Sequence, residues 1–151
     1  MKLTTLDLRG RRPGLGLTLT EDYDPAVGIQ GLVVGEFTRV LINVVDNALY
    51  AMAARHRADE PGYRPELTVR TQRVDGHVLV RIRDNGTGIP ADIVERIFNP
   101  FFTTKSPGEG TGLGLSISYD IVKRHQGELR VTSVPGQFTE FVIALPVPSA
   151  S

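Results

Sequence analysis

The chain contains no cysteine. That excludes disulfides, thiolate metal sites and a cysteine nucleophile, and it suits a reducing compartment. There is no net charge either, since 17 Lys and Arg balance 17 Asp and Glu. A surplus of positive charge that would hold a nucleic-acid backbone or an anionic membrane is therefore missing. No apolar run approaches the ~18 residues of a membrane span; Leu32 to Met52 is interrupted by Glu36, Arg39 and Asp46. The N-terminus lacks the apolar core of a secretion signal, so the expected location is the cytoplasm. What is present is 151 residues, 40% hydrophobic and 23% charged, the make-up of one globular domain with its own core.

The chain is organised around Asp84-Asn85-Gly86-Thr87-Gly88-Ile89. Val78, Val80 and Ile82 alternate with Leu79, Arg81 and Arg83, which predicts a strand running into this loop. Glycine permits positive φ and removes the side chain that would block a close approach. Taken alone, the pattern fits an ordinary strand and turn as well as a ligand loop.

Around it the elements follow in order. Leu3, Leu6 and Leu8 form one short alternating piece, and Leu15, Leu17 and Leu19 a second, with a turn at Arg9–Gly14 between them. Glu21–Gly31 reads as a loop. Gly35–Arg55 reads as a helix, with Leu41, Val44, Val45, Ala48 and Met52 on one stripe. Glu36, Asn43, Asn47 and Tyr50 fall on the opposite side. The two asparagines are poor helix formers; they are either a solvated polar face or a pair of amides facing a pocket. An Asn oxygen is a neutral ligand suited to Mg²⁺, which keeps several waters and leans on substrate phosphates. Ala58–Pro65 is a breaker-rich loop. Glu66–Arg73 and His77–Asp84 read as strands joined by an Asp75-Gly76 hairpin turn. Pro90 opens a short helix, Ala91–Phe98, with Ile93 and Ile97 on one face.

Asn99–Lys105 is rich in phenylalanine and leads into Ser106–Gly110, a Gly/Pro-rich and therefore flexible loop. Thr103, Thr104 and Lys105 suit contact with phosphate oxygens; alone, Lys105 would read as a solvated lysine. Gly110-Thr111-Gly112-Leu113-Gly114-Leu115 runs into a helix, Leu113–His125, with Leu115, Ile117, Ile121 and Val122 as its apolar side and Gly127 as its stop. Glycines at a helix N-terminus present backbone N–H groups and the positive end of the helix dipole, a phosphate site. The pattern is neither a P-loop nor a Rossmann fingerprint. Glu128–Ser133 and Phe138–Leu145 close the chain as two strands joined at Pro135-Gly136. The expected division is 1–14 as an N-terminal strand and turn, 15–146 as the domain, and 147–151 as a tail.

Four boxes stand in one order: Asn43-x-x-x-Asn47, Asp84-x-Gly86-x-Gly88, Phe98-x-x-Phe101-Phe102 and Gly110-x-Gly112-x-Gly114. Together they resemble the Bergerat-type (GHKL) ATP-binding domain of sensor histidine kinases, type II topoisomerases, mismatch-repair ATPases and heat-shock chaperones. IFNPFFTTK followed by GTGLGLSISYDIV looks like the lid and last helix of the histidine kinases. The resemblance implies an α+β fold, a two-layer sandwich with helices on one face of a mixed, mostly antiparallel sheet. It implies ATP and Mg²⁺ as cofactors. By position, Asp84 would accept from the adenine amino group, and Gly86 and Gly88 would let the loop close against base and sugar. Asn47 would ligate Mg²⁺, and Asn43 would lie beside the phosphates. Lys105 would belong to the lid and, with Asn43, to the catalytic set. Gly110, Gly112 and Gly114 would hold the phosphates, and Thr139 would support the adenine end. Ile89, Phe98, Thr104, Thr111 and Leu113 complete the implied binding set.

Relatives that hydrolyse ATP look to carry a Glu general base one helical turn before the Mg²⁺ ligand. Here that position is Asn43, and an amide cannot take a proton at neutral pH. The resemblance is thus to the kinases, whose acceptor brings its own nucleophile. His56, His77 and His125 are the only histidines, and none lies in a long two-helix hairpin. A separate phosphoacceptor domain is implied, with a response regulator as an indirect partner and a monomeric chain in isolation. Three departures stand out: the short Arg9–Gly14 connection, Tyr50 where a basic residue is common, and Phe138 where glycine is common before the last-strand Thr. Two other functions share these boxes: a nucleotide-binding module without transfer activity, and a protein-serine kinase of the anti-sigma-factor type.

Overall fold

Strand alternation and helical periodicity together generate two layers. The structure, a computed structural model, describes residues 16–22, 34–99 and 114–146. The elements are β1 (Thr18–Asp22), α1 (Val34–Arg57), β2 (Glu66–Val74), β3 (His77–Asp84), α2 (Ala91–Val94), α3 (Gly114–Arg124), β4 (Glu128–Val134) and β5 (Phe138–Pro146). The strands form one sheet in the order β1-β2-β3-β5-β4. β1 runs parallel to β2, and every other pairing is antiparallel. The fold is α+β, with an open mixed sheet. Asp75 and Gly76 both take positive φ, 47° and 76°, as a two-residue hairpin turn requires.

One face of the sheet is apolar because alternate residues point one way. Leu67 and Val69, then Val78, Val80 and Ile82, then Phe141, Ile143 and Leu145 are all buried. Against them α1 buries Val40, Leu41, Val44, Val45, Ala48, Leu49, Met52 and Ala53. This arc is wider than the predicted stripe, since the helix meets α3 as well as the sheet. Each fully buried Val, Leu or Met contributes about 1.5–3 kcal/mol. That outweighs the ~0.7 kcal/mol that each interior asparagine costs a helix. The opposite face carries arginines with partners. Arg70 pairs with Asp22, Arg81 with Glu140 and Arg130 with Glu128, while the Arg83 guanidinium lies 3.8 Å over the Phe138 ring.

Several expectations need correction. Glu21 and Asp22 belong to β1, paired with Val69 and Arg70, not to a loop. The helix expected at Ala91–Phe98 stops at Val94; beyond it the chain makes tighter three-residue bonds, Arg96 N–H to Ile93 and Asn99 N–H to Arg96. Gly127 is not the residue that turns the chain out of α3. Gln126 takes that role, at φ 63°. Its N–H donates to Lys123, and the Gly127 N–H donates to Val122, which is the Schellman pattern with Gln126 in the left-handed position. Gly127 is small for another reason: a Cβ there would lie 2.4 Å from the Ala144 carbonyl oxygen.

Candidate functional site

Asp84 is the last residue of β3 and is 2% exposed. Its Oδ1 accepts the Gly86 N–H at 2.8 Å. Burial pushes its pKa up to about 7, against the pull of that hydrogen bond. Directly across the sheet stands Thr139, and across from Thr139 stands Ser133. Ser133 Oγ donates to the Phe138 carbonyl at 2.9 Å and accepts the Ile89 N–H at 2.7 Å. Its single proton being used, the 2.9 Å contact with Thr139 Oγ1 has Thr139 as donor. The row Asp84–Thr139–Ser133 thereby joins the acid, the glycine loop and the last hairpin.

The loop after Asp84 is docked on two sides. A Cβ on Gly86 would meet the Ala51 carbonyl carbon at 2.7 Å, and one on Gly88 would meet the Val134 oxygen at 2.5 Å. The close approaches both glycines make within the protein are therefore to α1 and to the β4–β5 hairpin. The Gly136 N–H also donates to the Thr87 carbonyl at 2.7 Å. Ile89 and Phe98 are half-buried against the core. The Phe98 ring lies 5.3 Å from that of Tyr119 and 6.5 Å from that of Phe141.

Asn43 and Asn47 are both half-buried on α1. Asn43 Nδ2 donates to the Gly114 carbonyl and to Ser118 Oγ, each at 3.0 Å. Ser118, itself fully buried, donates to the same Gly114 carbonyl. Asn43 is thus a tie between α1 and the N-terminal turn of α3. Asn47 Nδ2 donates to the Asn43 carbonyl at 2.7 Å, which turns Oδ1 to the other side of the amide. Among the described residues no group of three His, Cys, Asp or Glu could hold a metal ion. A divalent cation brought in on phosphates fits a single amide oxygen such as Asn47 Oδ1. An adenine amino group fits Asp84, a buried acceptor with one hydrogen bond from the protein.

Asn43, Asn47, Asp84, Gly86, Gly88, Ile89, Phe98, Gly114 and Thr139 lie within the described residues. Thr104, Lys105, Gly110, Thr111, Gly112 and Leu113 lie outside them. Phe138 carries its ring on the open face under Arg83, on the opposite side of β5 from Thr139. Ser118 and Ser133 join the site through hydrogen bonds that no sequence motif marks. A serine placed one turn after Gly114, among the apolar residues of α3, was the only available hint for Ser118. No described helix is long and apolar enough to cross a membrane.

A family model described as histidine kinase-, DNA gyrase B-, and HSP90-like ATPase matches residues 34–149. The sensor kinase CckA of Brucella abortus is 41% identical over 119 residues, covering 75% of this chain and 13% of the relative. The signal transduction histidine-protein kinase AtoS of Escherichia coli is 40% identical over 110 residues, covering 72% of this chain and 16% of the relative. The chain therefore spans only a small part of these relatives. Among solved structures, the mycobacterial sensor histidine kinase MprB superposes with a TM-score of 0.72 at 28% identity, over 95% of this chain and 90% of that one. The catalytic domain of histidine kinase ThkA, in a nucleotide-free form, gives 0.72 at 26% identity, over 95% and 86%.

Proposed function

The chain belongs to the histidine kinase-, DNA gyrase B-, and HSP90-like ATPase family, and on that premise we propose that it binds Mg·ATP as the catalytic domain of a two-component sensor histidine kinase. It acts in the cytoplasm and passes the γ-phosphate to a histidine on a separate helical-hairpin domain, with a response regulator downstream. The observation that carries the reading is Asp84, a nearly dry carboxyl at a strand end. Its free lone pairs suit the amino group of adenine. Thr139, Gly86, Gly88, Ile89 and Phe98 then surround the base, and Asn47 offers its oxygen to Mg²⁺. Thr104, Lys105 and the stretch Gly110–Gly114 hold the phosphates. Held there, Mg²⁺ would supply charge neutralisation to the phosphates, while the residues of this chain position the nucleotide.

Asn43 favours a kinase over a hydrolase. Its amide cannot accept a proton, and its nitrogen is committed to Gly114 and Ser118. No base stands there to activate water. A neutral histidine nitrogen on a partner domain needs no such base.

Calorimetric titration with ATP and ADP, each with and without Mg²⁺, tests this reading. Micromolar binding of ATP, strengthened by Mg²⁺, is expected. Asp84→Asn puts an amide at an acceptor position and is expected to weaken adenine nucleotides at least about tenfold, as loss of a hydrogen bond to a charged group does. Unchanged affinity in that variant would remove Asp84 from the site.

A further inference from the structure

We infer that Arg55, near the C-terminal end of α1, is a positioning residue for adenine recognition, acting through the peptide bond between Asn85 and Gly86. This rests on the reading of Asp84 as the adenine acceptor. The carbonyl of that peptide accepts from Arg55 Nη1 at 2.9 Å. The N–H of the same peptide donates to Asp84 Oδ1 at 2.8 Å. A peptide unit is planar, with its oxygen and hydrogen on opposite sides. Arg55 therefore pins one end of the plane whose other end orients the Asp84 carboxyl. Nη1 also reaches the next carbonyl, Gly86, at 3.3 Å, so two successive carbonyls share one cation.

The guanidinium is itself fixed on every side. Nε and Nη2 donate to the two oxygens of Glu60 at 2.7 and 3.0 Å, a paired geometry that lysine cannot reproduce. Its plane lies 4.6 Å over the Tyr63 ring. Only 19% of the Arg55 side chain is exposed. The Asn85 side chain clamps the loop from the other side. Its Oδ1 accepts the Glu66 N–H at 2.8 Å and the Tyr63 hydroxyl at 3.3 Å, and its Nδ2 donates to the Arg64 carbonyl at 2.8 Å. The breaker-rich segment after α1 thus delivers Glu60 and Tyr63 to hold the arginine that orients the loop. A cation on the carbonyl also polarises the peptide, which strengthens the N–H as a donor to Asp84.

The test compares ATP with purine riboside triphosphate, which lacks only the amino group. Wild type is expected to prefer ATP about tenfold or more, since a buried acceptor left unpaired rejects the analogue. Arg55→Met is expected to bring the ratio close to one by weakening ATP while leaving the analogue nearly unchanged. Arg55 serving only the general fold would weaken both alike and keep the ratio, and that outcome overturns the inference while leaving the nucleotide site in place. Failure of wild type to bind ATP, or to discriminate, removes the reading of Asp84 and the inference with it. Should Arg55→Met not fold, Glu60→Gln decides on the same ratio. It frees the guanidinium from one anchor and is expected to lower the preference severalfold, and an unchanged ratio overturns the inference.

Discussion

Asp84 is nearly out of water, so its ionised form costs more in the folded chain than in the unfolded one. Its pKa rises from 3.8 to about 7 for that reason. The sign follows from proton counting: between these values the folded state holds more protons, so stability falls as pH rises. The contribution is whole below about pH 4, is lost progressively up to about pH 7, and is flat above. Urea unfolding of wild type and Asp84→Asn at matched pH should therefore show wild type losing up to about 4 kcal/mol relative to the variant across this window. A constant difference would mean that Asp84 is not desolvated. Nucleotide binding should run the other way. A donor from adenine favours the carboxylate, so ATP affinity is expected to drop up to about tenfold per pH unit below 7. Asp84→Asn should lack this component, which separates it from titration of the phosphates.

At the scale of elements, α3 was legible from its apolar spacing, and its last turn was not. Gly127 is the residue a sequence reader picks as a stop, but Gln126 holds the left-handed conformation. Gly127 is kept small instead by the Ala144 carbonyl of β5, a contact from a distant strand. An L-residue in that conformation costs about 1–2 kcal/mol. Gln126→Gly is therefore expected to raise stability by about 1 kcal/mol, read as a higher denaturant midpoint at constant slope. An unchanged or lower midpoint would point to a role for the Gln126 side chain. Helix α1 shows the same division. Its apolar stripe at helical spacing announced the helix, whereas the width of the buried arc was decided by α3 packing beside the sheet.

Across the whole molecule, the absence of a proton acceptor at Asn43 and the placing of the three histidines lead to one expectation. His56 closes α1, His77 follows the β2–β3 turn and His125 follows α3. Incubated alone with radiolabelled Mg·ATP, the chain should take up no acid-labile phosphate. Addition of a helical-hairpin phosphoacceptor domain from a similar sensor kinase should produce acid-labile, base-stable label on that domain. Label appearing on the chain itself would overturn the reading of a separate phosphoacceptor domain.

The residues in chain order determined much of this protein by themselves. Alternation and helical spacing are local signals, and they placed the five described strands and the long helices within a few residues, while the short piece expected at Leu3–Leu8 lies outside the described residues. The four boxes identified the family because their order and spacing are written along the chain. The tertiary structure alone decided what the polar residues touch. Asn43 meets Ser118 across 75 residues of sequence, and Arg55 meets Asn85 across 30. A hydrogen bond between segments so far apart leaves no periodicity behind. It exists only once the sheet has set β3 between β2 and β5 and the helices have closed over one face.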